Sequence, residues 1–292
     1  MTELEYPYGD GIVKWVNPEW LSRHLLDEDL MILDAQPNVH DYIMGHIPGA
    51  VYFNENLLRV PLKGLPAQYV PPQVIKILFG RVGLKKDVPV VVYTGEGPFS
   101  HWGNGLEQTM VAYTLARFGH DNVYVLDGGI EAWIEQEGKK LSQIFPEVTE
   151  SQFDAEVRHQ YFVEYDTFKM LKDETDVMVL DARPPDVYAG QGPWIKPGHI
   201  PGAINIPWPT FFVEGNRRKL KPHDEIQAIV DKYDLDPAKT IICSCGTGRE
   251  ATAEFLILKW YLGFPKVKIY EGSFTEWTAY PDNPTVTGKS PR

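Results

Sequence analysis

The chain has 292 residues, enough for two domains that each bury a core of their own. Its 40 Asp and Glu outnumber 28 Lys and Arg, a net charge of −12, which excludes a nucleic-acid partner because phosphate contacts need clustered cations. Hydrophobic residues make up 43% of it, and no run approaches the roughly 18 apolar residues that span a bilayer, so no membrane partner is expected.

The opening Met1-Thr-Glu-Leu-Glu-Tyr-Pro is acidic and lacks the basic start and apolar core of a secretory signal, which points to a cytoplasmic location. Helical patterns follow at residues 18–26 and 72–82, and again at 224–233 and 251–262. The last keeps Phe255, Leu258 and Leu262 on one face and stops at Gly263. Between them, short β-branched runs at 177–180, 240–242 and 267–270 read as buried strands. The basic stretch Arg217-Arg218-Lys219, with Lys221, reads as a solvated turn. Strand–helix alternation of this kind implies an α/β fold whose mainly parallel sheets are flanked by helices, with the chemistry beyond the carboxyl ends of the strands.

An internal repeat divides the chain. Gly-His-Ile-Pro-Gly-Ala occurs at Gly45–Ala50 and again at Gly198–Ala203, with other matches around it in the same order. Ile32-Leu-Asp34-Ala-Gln36 corresponds to Val179-Leu-Asp181-Ala-Arg183, and Val91-Val-Tyr-Thr94-Gly-Glu-Gly97 to Ile242-Cys-Ser-Cys245-Gly-Thr-Gly248. Leu126-Asp-Gly-Gly-Ile-Glu-Ala-Trp133 corresponds to Tyr270-Glu-Gly-Ser-Phe-Thr-Glu-Trp277. An offset of about 150 residues is too long for a solenoid, so these are tandem domains, at residues 1–142 and 158–292, divided near 140–157.

Two cysteines, Cys243 and Cys245, exclude a disulfide scaffold, and neither pairs with a His at metal-ligand spacing; neither metal nor cofactor is expected. The repeat separates the two. Cys243 aligns with Val92 inside a strand, whereas Cys245 aligns with Thr94 at the strand's end. After Cys245 comes Gly246-Thr247-Gly248-Arg249-Glu250, whose glycines let the backbone curl and turn its N–H groups inward. A sulfur in such a cradle, facing the start of a helix, is expected to be held as thiolate, the nucleophilic form. His46 and His199 occur in both halves although only one half has the cysteine, so their role is structural, and Trp133 and Trp277 read as packing.

On these motifs the halves resemble rhodanese domains, arranged as in the tandem thiosulfate and 3-mercaptopyruvate sulfurtransferases. Residues 42–53 resemble the family's N-terminal signature, residues 267–277 its C-terminal one, and Cys245-Gly-Thr-Gly248-Arg-Glu-Ala251 its active-site loop. The resemblance implies that Cys245 takes sulfur from a small anionic donor as a persulfide and passes it to a thiol or cyanide. It also implies that Arg183 holds the donor's anionic group. Gly246, Thr247, Gly248 and Arg249 would complete the binding loop; Lys196, in the insertion before the second hexapeptide, is a weaker anion-contact candidate whose commoner reading is solvent exposure. In that family a basic loop goes with thiosulfate and a neutral Gly-Ser-Gly loop with 3-mercaptopyruvate; Gly246-Thr247-Gly248 resembles the neutral type, while Arg249-Glu250 fits neither. The first half has Thr94 and Gln36 where the second has Cys245 and Arg183, so it is expected to be catalytically inactive and to wall the site, with residues 97–102 near it.

Two other readings compete. Cys243 and Arg249 have the Cys-x5-Arg spacing of a phosphatase or arsenate reductase, in which Arg249 would clamp the phosphoryl oxygens. A non-catalytic sulfur-carrier or binding module is the other. The strand register of Cys243 argues against the first, and the intact cysteine loop against the second.

Overall fold

The computed structural model describes residues 5–136, 138 and 140–292. Residues 1–4 of the acidic opening, and Lys139 at the start of the expected divide, lie outside these.

The first half runs β1 (Val13–Val16), α1 (Pro18–His24), β2 (Met31–Asp34), α2 (Val39–Met44), β3 (Val51–Tyr52), β4 (Arg59–Leu62), β5 (Leu65–Tyr69), α3 (Pro72–Arg81), β6 (Val90–Tyr93), α4 (Leu106–Arg117), β7 (Val123–Leu126) and α5 (Gly129–Glu135). The second half runs β8 (Phe162–Val163), α6 (Tyr165–Leu171), β9 (Val177–Asp181), β10 (Ile204–Asn205), β11 (Phe212–Val213), β12 (Asn216–Leu220), α7 (His223–Lys232), β13 (Thr240–Ser244), α8 (Ala251–Leu256), β14 (Val267–Tyr270) and α9 (Ser273–Ala279). Local chemistry fixes the ends. Asn17 caps α1, its side chain accepting from Trp20 N at 2.8 Å with Pro18 in the first turn. The helix expected over 251–262 breaks into a π turn at Ile257–Tyr261, and Gly263 follows at φ 74°.

The main sheets share one order, β1-β7-β6-β2-β3 and β8-β14-β13-β9-β10, and all their pairings are parallel. Their central strands are covered on both faces, which is why Val90-Val-Val-Tyr93 is apolar without alternation. The β4–β5 and β11–β12 hairpins stand apart as two-stranded antiparallel ribbons. The segment after residue 140 has no helix and runs along the first half, Ser142 N donating to His46 O at 2.8 Å and Ser151 N to Gly80 O at 2.9 Å. Phe153 anchors it, fully buried with its ring edge-on to Phe79.

The two halves meet along α4 and α8, and one apolar cluster runs through both. Every residue of α4 is buried, Thr109 Oγ1 lies 3.0 Å from Thr252 Oγ1, and the Tyr113 ring meets Phe255 edge-on. Arg117 closes this seam with two hydrogen bonds to Glu271, 2.6 and 2.9 Å long. The basic stretch is not a solvated turn. It forms β12, and Arg218 is buried against the first half, paired with Glu131 at 2.8 Å, because β12 lies over the first half's empty counterpart of the cysteine loop. There the Arg218 carbonyl accepts from Gly128 N at 3.0 Å.

Candidate active site

Cys245 follows β13 directly, as Thr94 follows β6. Ser244 pairs with Asp181 and Tyr93 with Asp34, so the two strand ends occupy equivalent places. Cys243, paired with Leu180 inside the sheet, matches Val92, paired with Leu33. Thr94 has no free role, since its hydroxyl donates to Ala35 O at 3.0 Å.

The cradle forms as expected. Gly248, at φ 84°, turns its N–H to Cys245 Sγ at 3.0 Å, and the Thr247 and Ala251 amides also favour a negative sulfur. Phe274 N and Thr275 N hold the loop from behind, through the carbonyls of Cys245 and Gly246.

The thiolate expected there is overturned. Cys245 is fully buried, and that burial, with the Glu250 carboxylate next in weight, pushes its thiol up to about 12 against the pull of the amides. Burial therefore favours the thiol over the thiolate at rest. Cys243 is pushed further up by burial and by the neighbouring Glu254, which suits a buried inert thiol and not a phosphatase nucleophile.

Both expected arginine contacts are already engaged. Arg183 is 1% exposed and grips Asp181, with Nη2 at 2.6 Å and Nε at 2.9 Å, while Nη2 also donates to Gly198 O at 3.0 Å. Its guanidinium lies over the Phe274 ring at 4.1 Å and the Trp194 ring at 5.1 Å; Nη1 is buried without a hydrogen-bond partner. Burial forces this pairing, since Asp181 needs a cation once water is removed. Arg249 points away from the sulfur to the first half, where it pairs with Glu55 and Glu107 and cannot clamp an oxyanion. Lys196 caps the end of α9 through the carbonyls of Tyr280, Pro281 and Asn283, so it is no anion contact.

Thr247 is held by a residue the sequence reading missed. Arg59, at the start of β4, donates from Nη1 to Thr247 O at 2.8 Å and lies 3.2 Å from its hydroxyl. The first half therefore touches the loop through Arg59, Glu55 and Glu107. Trp102 of the 97–102 segment borders a cavity of about 250 Å³ with Gln36, Asn56, Asn104 and Arg249.

Trp194 and Ser273 were missed as well. The Trp194 ring covers Gly246, so closely that a Cβ there would lie 2.9 Å from it, and its indole N–H donates to Thr275 Oγ1 at 2.8 Å. Ser273 accepts from Cys245 N at 3.1 Å and donates to Tyr270 O at 2.8 Å, with its hydroxyl 4.0 Å from Cys245 Sγ. The repeat carried a signal for it. Its counterpart is Gly129, at φ 66°, and Ser273 keeps a left-handed φ of 52° that a glycine would adopt more easily.

The hexapeptide histidines are structural. His46 bonds the carbonyls of Tyr42 and Ile144, and His199 those of Tyr188 and Ser290, each ring stacked on its tyrosine. Among the described residues no group of His, Cys, Asp and Glu converges as metal ligands would, and no helix is long and apolar enough to cross a membrane.

The site can hold one dry thiol under backbone donors that would also carry an added outer sulfur. Comparison with known proteins agrees in kind. The rhodanese-like domain family matches twice, at residues 17–136 and 164–280. The 3-mercaptopyruvate sulfurtransferase of Escherichia coli is 31% identical, covering 92% of this chain and 96% of its own, and a solved structure of that enzyme superposes with a TM-score of 0.77. A thiosulfate sulfurtransferase of Corynebacterium glutamicum is 29% identical over 98% of this chain and 93% of its own. The anaerobic ergothioneine biosynthesis enzyme of Chlorobium limicola, solved with trimethyl histidine, superposes with a TM-score of 0.81 at 25% identity, over 94% of this chain and 70% of its own.

Proposed function

The chain belongs to the rhodanese-like domain family and is a sulfurtransferase, and from that premise we propose that it carries the sulfur as a persulfide on Cys245. One observation carries this reading: Cys245 Sγ sits at a strand end under the amides of Thr247, Gly248 and Ala251, where the first domain has only Thr94. The deprotonated Sγ attacks the outer sulfur of the donor. A sulfur–sulfur bond forms while the donor's own bond to that sulfur breaks, and its electron pair leaves with sulfite or, after protonation at carbon, with pyruvate. The amides that faced the thiol then face the terminal sulfur, placing its charge at the positive end of oriented N–H groups. A thiol or cyanide takes that sulfur and restores Cys245.

The donor is a small anion of the thiosulfate or 3-mercaptopyruvate type, as the names of the relatives suggest. Neither Arg183 nor Arg249 selects between them, because both are neutralised by carboxylates. The two free, buried thiols suit a reducing, cytoplasmic compartment.

The test is thiocyanate formation from each donor, with intact mass measured after donor alone. Wild-type protein gains one sulfur mass, removed by cyanide. Cys245→Ser gains none, and Cys243→Ala behaves as wild type. Activity that survives Cys245→Ser and is lost in Cys243→Ala refutes the assignment.

A further inference from the structure

A fully buried thiol must lose its proton before it can attack, and bulk water is screened from the loop on two sides, by Trp194 over Gly246 and by Arg59 over Thr247. A protein group therefore has to take the proton. The carboxylates around Cys245 can be tried in turn. Asp181 is held by the Arg183 fork through both oxygens. Glu55 and Glu107 are bound to Arg249. Glu254 is fully buried on α8 beside Cys243, and burial raises its proton affinity strongly, which disfavours the charged form a base needs.

Glu250 is different. Its carboxylate stays within the cysteine loop, Oε2 3.5 Å from Gly246 N and beside the covered face of that glycine, and its charge acts on the neighbouring Cys245 thiol. It has no ion-pair partner among the described residues. The groups that face it are Cys245 and the Gly246 amide from the loop, Asp181 at the end of β9, Arg183 just beyond that strand, and Glu254 from α8. Three of these carry or can carry negative charge, and only Arg183 is positive, so Glu250 and Cys245 are disfavoured from being charged together. They are suited to share one proton between them.

Resting on the persulfide reading above, we propose that Glu250 is a catalytic residue that takes the Cys245 proton during sulfur uptake and returns it on discharge. With thiosulfate, the Sγ–H proton passes to the Glu250 carboxylate while the Sγ electron pair bonds the outer sulfur. The thiosulfate S–S bond breaks and its electron pair leaves on sulfite, giving the Cys245 persulfide anion and a neutral Glu250. When cyanide takes the outer sulfur as thiocyanate, the Cys245 thiolate left behind recovers the proton from Glu250. Charge and protons balance over the cycle, and nothing outside donor and acceptor is consumed. The raised proton affinity that burial gives Glu250 moves it toward the working range of a base at neutral pH.

Persulfide formation in a single turnover with thiosulfate, followed by quenched intact mass across a pH series, tests this on wild type, Glu250→Gln and Glu250→Asp. Glu250→Gln keeps the shape and the amide contact but accepts no proton. It is expected to form the persulfide about 10²-fold more slowly at neutral pH and to regain rate about tenfold per pH unit as hydroxide replaces the base. Glu250→Asp, shorter but still a base, is expected to keep the wild-type shape of the pH profile at reduced rate. A Glu250→Gln variant with the wild-type rate and profile overturns the proposal, as does one slowed by the same factor at every pH, the mark of lost packing. A wild type that gains no sulfur mass overturns the persulfide reading itself and is seen before any variant is compared.

Discussion

Arg249, in the loop beyond Cys245, crosses the domain boundary to Glu55 of the first domain, its Nε 2.7 Å and its Nη2 2.5 Å from one carboxylate oxygen. Glu107 on α4 takes the same Nη2 at 2.9 Å. The domain without a nucleophile thus sets the position of the loop that has one. Arg249→Met would leave two buried carboxylates unpaired and is expected to cost about 3 kcal/mol, the low end for a broken buried pair because the guanidinium is partly exposed. Urea unfolding measures it, and adding Glu107→Gln should recover part of the loss. Unchanged stability with a raised KM would instead make Arg249 a donor contact.

Arg183 carries a similar expectation by a different route. It is among the largest fully buried side chains, and among the described residues Asp181 has no other cation at bonding distance. Arg183→Met is expected to destabilise the protein by about 3–5 kcal/mol, since an unpaired carboxylate remains in the core. This departs from the role the resemblance implies, in which Arg183 holds the donor's anionic group. A variant of wild-type stability and weakened donor use would restore that reading.

Most of the architecture was legible because the duplication supplies an internal comparison. The strand end at Cys245, the inertness of His46 and His199 and the strand position of Cys243 all follow from asking what Thr94, Gln36 and Val92 do in the other half. What the repeat could not give is what one half does to the other. Arg249 and Arg218 read as free cations because their partners, Glu55 and Glu107 for the one and Glu131 for the other, lie more than a hundred residues away or across the boundary. The cradle was foreseen, but not the depth of burial that reverses its effect on the thiol. Trp194 lies in an insertion with no counterpart in the first half, so no comparison could point to it.

The exchange of Arg183 for Gln36 has a consequence in pH. Asp34, fully buried, is bonded by Gln36 N and Nε2 at 2.8 Å and by the Tyr93 hydroxyl, none of which carries charge, and burial raises it to about 6 from 3.8. The folded protein binds this proton more tightly than the unfolded chain does. Its contribution to stability is therefore complete below about pH 4, declines as pH rises to about 6 and is absent above, at up to about 1.4 kcal/mol per unit and about 3 kcal/mol in all. Gln36→Arg, which supplies the second domain's cation, should flatten that decline, as measured by unfolding free energy at acid and neutral pH. An identical slope in the variant would place the titration elsewhere.

Access to Cys245 must pass one of its two covers, and the Trp194 ring is the one inside its own domain. The ring is fixed by the Thr275 hydroxyl and by the edge of Phe274, and two residues on, Lys196 ties the same segment to the carbonyls that follow α9, so the backbone can stay in place when the indole is removed. Trp194→Ala should therefore uncover the sulfur without disturbing the strand beneath. Iodoacetamide is expected to label Cys245 faster in this variant than in wild type, with Cys243 labelled slowly in both as an internal reference. Peptide mass mapping separates the two sites. Gly246→Ala should also raise labelling where it pushes the ring aside, since its Cβ would meet the ring at 2.9 Å. If Trp194→Ala leaves the labelling rate unchanged while Arg59→Ala raises it, the donor enters from the first-domain side, past the hydrogen bonds from Arg59 to Thr247.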